Sequence, residues 1–392
     1  MLDRLRSTDR DTAGTLGVLA VALVLALPLL LSGPGNDLDV GNVFRSGRAI
    51  ARHLDYVPSR PPGAPVHEAL VGFGDLIGGP LLTNLLSLAA AGLLLWQLDR
   101  LLRDEGVAPS GRWVVALVAV NPWFLIAATA TADYVFALLF CVLAARAIRQ
   151  DHAVLAGLAG AAAMGCRVGS IMLLIALAVA EAAVGRAHWR RVLVTGGVAA
   201  GLTLVVFIPS FVEAGGLAFA ENDFSASSPL VQLGRAAAKD VLVLGIPSTL
   251  VVLAAIPALI AALRRWSTSW LVRFGTVGLV LSQLLFVRFP WKMAHLLPSL
   301  LCLAVLLAVA LEDRRRWLMA MVALQLVFCF VRVDVLAPND ANEASGGKLA
   351  PTVTAGPLLT DLRCRRDDPD AYLGRQKEEI EVAWDCAAPY RD

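Results

Sequence analysis

Charge is scarce in this 392-residue sequence: Asp, Glu, Lys and Arg together make up 17%, against roughly 25% in soluble domains. That scarcity excludes a disordered chain, and a net charge of only +2 points to no polyanionic partner and no nucleic acid. Lysine is nearly absent, at Lys239, Lys292, Lys348 and Lys377 alone. Cysteine is sparse as well, six in all with no CxxC or CxxxxC spacing, which argues against a zinc site and a disulfide-dense secreted scaffold. Apolar residues are what the chain has in abundance. They reach 57% before any of the 32 glycines is counted, whereas soluble domains reach roughly 45–50% with glycine included. The composition is that of a membrane protein.

Arg4, Arg6 and Arg10 precede an uncharged run from Ala13 to Ser32, long enough to cross a hydrocarbon core of roughly 30 Å. A cleaved signal peptide would carry a shorter apolar region, of about 7–15 residues, so the run reads as an uncleaved first span. Ten more apolar runs follow at 81–98, 113–128, 133–145, 153–165, 169–185, 191–211, 241–263, 271–287, 293–311 and 317–333. The expectation is an all-α polytopic membrane protein of about eleven transmembrane helices in the cell membrane. Cytoplasmic loops carry the excess of Lys and Arg. With the N-terminus cytoplasmic, the inner segments hold 17 basic residues in 54 positions and the outer segments nine in 90. Eleven spans then leave the C-terminus extracytoplasmic. The expected organisation is a transmembrane catalytic domain over 1–333, whose first outer loop is 33–80, and a small extracytoplasmic tail over 334–392. In that oxidising compartment Cys364 and Cys386 suit a disulfide, with two unpaired thiols as the alternative.

The first outer loop carries the most information. It opens with Asn36-Asp37-Leu38-Asp39, two acids close to the exit of the first span. Val43, Gly47, Ile50 and Leu54 then recur at spacings of three and four and form an apolar stripe, while Arg45, Arg48 and Arg52 fall on another face. Such a segment suits an interfacial helix with its arginines toward lipid phosphates. Between Tyr56 and Pro65 four prolines fix φ and remove donors, which predicts a stiff extended loop carrying Arg60. Val66 to Leu76 reads as a second short helix bearing His67 and Glu68. A plain proline-stiffened connector with solvated charges is the competing interpretation.

A carboxylate at the outer membrane boundary, with arginines nearby, suits proton abstraction from an acceptor while an anionic lipid-linked group departs. Asp37 and Asp39 both qualify. Being two apart, they point differently unless the backbone turns between them. Asp133 heads the fourth span, where an acid also suits the positive end of a helix dipole. Arg167 interrupts an apolar stretch, either as a functional cation or as one that snorkels to the interface. Arg288, Lys292 and His295 cluster beside Trp291, as a binding group or as an interfacial anchor.

These residues together resemble the GT-C class of integral-membrane glycosyltransferases, which includes protein O-mannosyltransferases and the aminoarabinose transferases that modify lipid A. The resemblance rests on Asp37-Leu38-Asp39, the interfacial helix, the Tyr56-to-Pro65 loop with Glu68 after it, and Asn121-Pro122 followed by Asp133. It extends to the Gly165-to-Gly169 turn with its Arg167, and to Lys292 ahead of Leu296-Leu297-Pro298. It implies a polyprenyl-phosphate sugar as donor, inversion at the anomeric carbon, Asp39 as general base with Asp37 as alternate, and Asp133 as a second acid arranging the site. Arg60, Arg167, Arg288, Lys292 and His295 would hold the donor phosphate, with Tyr56, His67 and Glu68 on the acceptor side. No cofactor is implied with certainty, although some members of the class need a divalent metal. The chain lacks the Asp-Glu pair of the protein mannosyltransferases, so the acceptor, whether glycan, lipid or protein of the cell envelope, stays open.

A lipid-linked-sugar flippase or transporter is the rival class, and a non-catalytic subunit that binds lipid-linked sugar is a third. A transporter needs polar residues along a path through the membrane. The later spans offer little beyond Ser282, Gln283 and Gln325.

Overall fold

The structure, a computed structural model, describes residues 2–37, 39–213, 228–290, 292–334 and 352–367. Cys386 and the disulfide expected of it lie outside those residues, while Cys364 is buried.

Every one of the eleven apolar runs is helical, as the all-α polytopic expectation requires, although several runs are broken. The first is α1 (Leu2–Leu30), followed by the interfacial α2 (Asp39–His53) and the long α3 (Pro65–Asp104). Gly78 and Gly79 interrupt α3 with non-helical backbone, Gly79 at φ +64, and Pro80 follows. The break separates a first arm, which includes the short helix expected over 66–76, from a longer apolar arm. Next come α4 (Ala108–Ala119) and α5 (Pro122–Ala128), bent by 68° from each other, and then α6 (Tyr134–Arg149) and α7 (Ala153–Cys166). A 3-10 turn at Val168–Ser170 leads into α8 (Ile171–Ala182), followed by α9 (Arg186–Val206) and α10 (Ile208–Glu213). Beyond these lie α11 (Pro229–Leu244), α12 (Ile246–Ala254) and α13 (Ile256–Leu263), with α11 and α12 bent by 96°. The bundle closes with α14 (Trp270–Arg288), a 3-10 turn at Met293–Leu296, α15 (Leu297–Ala310) and α16 (Arg315–Phe330). Among the described residues five helices are long and apolar enough to cross a membrane, and counting each bent pair as one span raises the number to seven. The remaining runs are shorter helices inside the bundle.

The chain does not end its structure at the last span. Strand β1 (Val331–Asp334) pairs antiparallel with β2 (Thr352–Ala355), Val331 opposite Ala355, and α17 (Pro357–Asp367) then packs against α1, α5 and α16. The domain boundary expected at 333/334 therefore falls inside a strand.

Burial separates an inner set of helices from a lipid-facing rim. In α15 nearly every residue is buried, as are most of α4 and α6, whereas α9 buries only Thr195. Leu193, Leu204, Val205, Leu250 and Leu284 are exposed. Such surface would be a liability in water, but hydrocarbon is as apolar as the side chains and leaves no penalty. Several polar side chains inside the bundle bond one another or backbone carbonyls, as a dry medium favours. Asn121 accepts the backbone N–H groups of Trp123 and Phe124 and so caps α5, while its Nδ2 donates to Val243 O at 2.8 Å and Gln325 Oε1 at 2.9 Å. Gln325 Nε2 donates to Ser248 Oγ at 2.8 Å, and Gln283 donates to Asp240 at 2.7 Å. Gln283 and Gln325, two of the few polar residues of the later spans, thus bond neighbouring helices.

Charged residues collect at the two ends of the bundle. One end holds Arg149 with Glu105 at 2.6 Å, Arg191 with Asp151 at 2.6 Å and His188 with the buried Glu181 at 2.5 Å. The other end gathers the exit of α1, the α5–α6, α7–α8 and α14–α15 connections, and α17.

Candidate active site

The two acids of the first loop sit on a backbone turn. Asp37 Oδ1 accepts the backbone N–H of Asp39 at 2.9 Å, an Asx turn that opens α2. Because the chain turns there, Asp37 and Asp39 face the same partner: Lys292 Nζ donates to Asp37 Oδ1 at 2.5 Å and to Asp39 Oδ2 at 2.8 Å. Asp37 Oδ2 also accepts from the Tyr134 hydroxyl at 3.3 Å. Arg60, brought in by the proline loop, lies 3.2 Å from Asp39 Oδ2 through one nitrogen and hydrogen-bonds Asp133 through the other. Arg167 closes the series with Nη1 at 3.0 Å from Asp133 Oδ1, and its guanidinium covers the Tyr134 ring at 4.2 Å, a favourable cation–π geometry. Three acids and three cations thus alternate from Asp37 through Lys292, Asp39, Arg60 and Asp133 to Arg167.

This alternation sets the protonation states. Burial by itself would raise the Asp39 carboxyl, but Lys292 and Arg60 hold it well below the usual carboxylate range. Burial likewise opposes the charge on Lys292, and Asp37, Tyr134 and Asp39 outweigh it, raising the ammonium above its ordinary value. Asp133 is also lowered, against burial, by Arg60 and Arg167. Within the network Asp39 is distinctive: its Oδ1 has no hydrogen-bond partner among the described residues, and its side chain is 25% exposed.

Beside the network lies a cleft of about 510 Å³ between α6, α8, α14 and the Met293–Leu296 turn. Arg60, Arg167, Arg288 and His295 line it together with Leu138, Leu285 and Phe286. The cleft is therefore cationic at one part and apolar at the rest. Among the described residues lining it, Arg288 is the arginine with no carboxylate partner. It is exposed and rests on the Phe289 ring at 5.1 Å.

The three residues named for the acceptor side and its loop are packed as follows. Glu68 is fully buried and accepts the Tyr56 hydroxyl at 2.7 Å and the Ser59 backbone N–H at 2.9 Å, so it anchors the proline loop that delivers Arg60. The Tyr56 hydroxyl is pushed up by burial and by Glu68 and stays protonated. His67 is 1% exposed and packs against Phe136 with ring centroids 5.3 Å apart. The interfacial helix also differs in detail from the expected stripe. Val43 and Gly47 are buried, but Leu54 is exposed at positive φ. Arg48 pairs with Asp75 on α3 at 2.6 Å and is not directed to lipid, whereas Arg45 and Arg52 are exposed. A Cβ on Gly47 would lie 2.6 Å from the backbone nitrogen of Gly72, so α2 and α3 approach to glycine-only distance.

The donor set does not suit a divalent metal. The ammonium of Lys292 occupies the position between Asp37 and Asp39 where such an ion would sit, and Arg60 separates Asp39 from Asp133. No group of three His, Cys, Asp or Glu side chains with metal-holding geometry occurs among the described residues.

The fold is that of an all-α polytopic membrane protein. Among solved structures the chain is similar to ArnT from Cupriavidus metallidurans bound to undecaprenyl phosphate, with a TM-score of 0.61, 16% identity and coverage of 97% of this chain and 74% of that one. It is also similar to ArnT from the same organism in the apo state, with a TM-score of 0.55, 16% identity and coverage of 97% and 76%. No family model and no curated protein matches the sequence. Sequence reasoning had no signal for Tyr134 as a partner of Asp37, nor for the buried Lys239, whose Nζ donates to Pro290 O at 3.0 Å and steadies the loop carrying Lys292.

Proposed function

We propose that the protein is an inverting glycosyltransferase that moves a sugar from a polyprenyl-phosphate donor to an acceptor hydroxyl on the extracytoplasmic side. The observation that carries this reading is the cleft, a largely apolar groove in which Arg288 adds a positive charge beside a network that is otherwise charge-balanced. A prenyl chain fits the groove, and its phosphate brings the negative charge that Arg288 lacks. ArnT, of similar fold, is bound to undecaprenyl phosphate, which supports a ligand of that class. The excess of Arg and Lys on the opposite end of the bundle supports the assignment of this end to the outside.

In this reading Arg288, with Arg167 and His295, holds the phosphate, and the charge that grows on it as the sugar leaves is stabilised by the preorganised cations. Asp39 Oδ1 takes the proton of the acceptor hydroxyl as the new glycosidic bond forms at the anomeric carbon and the bond to phosphate breaks. A carboxylate held below its usual pKa is a weak base, which suits a transition state of oxocarbenium character where proton transfer comes late. Asp133 fixes Arg60 and Arg167 and does not itself meet the acceptor. The 1–333 segment supplies all of these groups and acts as the catalytic domain.

The test uses purified full-length protein in lipid vesicles with radiolabelled polyprenyl-phosphate sugars and a panel of hydroxyl acceptors. Labelled acceptor is the expected result. Label moved across the bilayer without transfer would favour a flippase, and retention without either would favour a binding subunit.

A further inference from the structure

The helix α17 carries Arg365, which is 1% exposed. Its guanidinium is buried among carbonyl groups contributed by two other helices and their exits. Nη1 donates to Leu29 O at 3.0 Å, Thr129 O at 2.8 Å and Gly33 O at 3.5 Å, and Nη2 donates to Ile126 O at 3.3 Å. Its Nε ion-pairs with Asp361 at 2.8 Å. Leu29 and Ile126 lie in the last turns of α1 and α5, where carbonyls lack intrahelical donors and the helix dipole is negative. One cation therefore ties together two helix C-termini that are remote in sequence.

Gly33 and Thr129 each stand four residues ahead of an acid of the site, Asp37 and Asp133 respectively. The short segments between are stitched to each other. Thr131 N donates to Pro34 O at 2.8 Å, Thr131 Oγ1 donates to Asn84 Oδ1 at 2.9 Å, and Asn84 Nδ2 donates to Gly33 O at 2.8 Å. Asn36, adjacent to Asp37, donates to Asp361 O at 3.1 Å and to its carboxylate at 3.0 Å. Gly35 allows the close approach: at φ +112, a Cβ there would lie 2.7 Å from that of Ala130. None of these contacts involves a group of the reacting network, yet they fix the backbone on which Asp37 and Asp133 are mounted.

We propose that α17 is a clamp and that Arg365 is its positioning residue, holding the exit of α1 and the α5–α6 connection in register so that Lys292 reaches Asp37 and Asp39 while Arg60 and Arg167 reach Asp133. The effect on turnover rests on the glycosyltransferase reading. The effect on the geometry does not.

Acylation of Lys292 reads that geometry directly, because an ammonium held by two carboxylates reacts slowly and the chain has only four lysines. Full-length protein in detergent is treated with an acetylating N-hydroxysuccinimide ester at neutral pH, and peptides are quantified by mass spectrometry. In Arg365→Met the rate at Lys292 should rise about tenfold, which is the gain in free amine for each unit its pKa falls. The rate at Lys239, 2% exposed, should not change. Arg365→Lys should fall between, and Asn36→Ala, a milder lesion at a part-exposed position, should move Lys292 in the same direction. Unchanged Lys292 labelling in Arg365→Met and Asn36→Ala would overturn the clamp, as would a parallel rise at Lys239, which signals general loosening. In the transfer assay kcat should fall about tenfold in Arg365→Met, roughly 1.4 kcal/mol of barrier, with a smaller rise in the donor KM through Arg167. If the parent protein shows no transfer while the labelling pattern holds, the clamp stands and the enzymatic reading falls.

Discussion

Lys292 donates to Asp37 Oδ1 at 2.5 Å across 255 residues of chain, so the exit of the first span and the entrance to α15 meet at one ion pair. The same ammonium reaches Asp39 through Oδ2, and Asp39 Oδ1 has no hydrogen-bond partner among the described residues. This division of labour separates the two first-loop acids, which spacing alone left equivalent.

Replacing Asp39 with Asn should lower transfer by about 10²- to 10⁴-fold, the usual contribution of a positioned general base. Asp37→Asn should cost about tenfold, since 1.4 kcal/mol is a tenfold change and Asp37 acts through the turn and through Lys292. Single-turnover rates with donor-saturated protein check the order of the two effects.

Arg288→Ala should raise the donor KM by about 10- to 100-fold, the equivalent of losing one charge-assisted hydrogen bond of roughly 1.5–3 kcal/mol. Its kcat should change far less, because Arg288 belongs to the cleft and stands outside the alternating network. Initial rates against donor concentration separate the two constants.

The pH profile follows from the depressed Asp39 carboxyl. The basic form persists as pH falls, so the acidic limb of kcat/KM should lie below the ordinary carboxylate value of about 4. Lys292→Met removes the leading stabilising charge and lets burial raise the group, so the limb should move toward neutral pH. The same depression stabilises the folded chain above the ordinary carboxylate pKa, and that contribution is lost only as pH falls through the lowered value.

Tyr56→Phe should destabilise the loop by about 1 kcal/mol through loss of its bond to Glu68. Glu68→Ala should cost about 1–3 kcal/mol more because the buried Ser59 N–H loses its acceptor. Limited proteolysis between residues 54 and 64 reads the loosening, and Tm in detergent gives its size. Donor retention should survive in Tyr56→Phe.

Glycine illustrates what a linear reading can and cannot reach. The short helix expected over 66–76 and the apolar run from 81 are separated by Gly78-Gly79-Pro80, where α3 breaks. Gly47 and Gly72 carry no such signal, because the contact between them depends on how α2 lies against α3. Glu68 and His67 sit in the short helix that follows the proline loop, and only the folded chain shows that they are buried against Tyr56, Ser59 and Phe136. Arg365 is one arginine among several in a polar segment, and its role depends on carbonyls contributed by helices more than 230 residues away.

The apolar runs, the interruption by prolines, the acids at the first exit and the basic bias of alternate loops are properties of local composition, and they determine by themselves that the chain is helical, embedded in a membrane and equipped with polar groups at its boundaries. Which acids share a cation, which arginine stays unpaired at the cleft and which tail residue locks two helix ends were decided only in three dimensions. The reason is physical: hydrophobicity and backbone propensity act between neighbours in sequence, whereas ion pairs and carbonyl cages are set by distances of a few ångströms between segments that the chain itself keeps far apart.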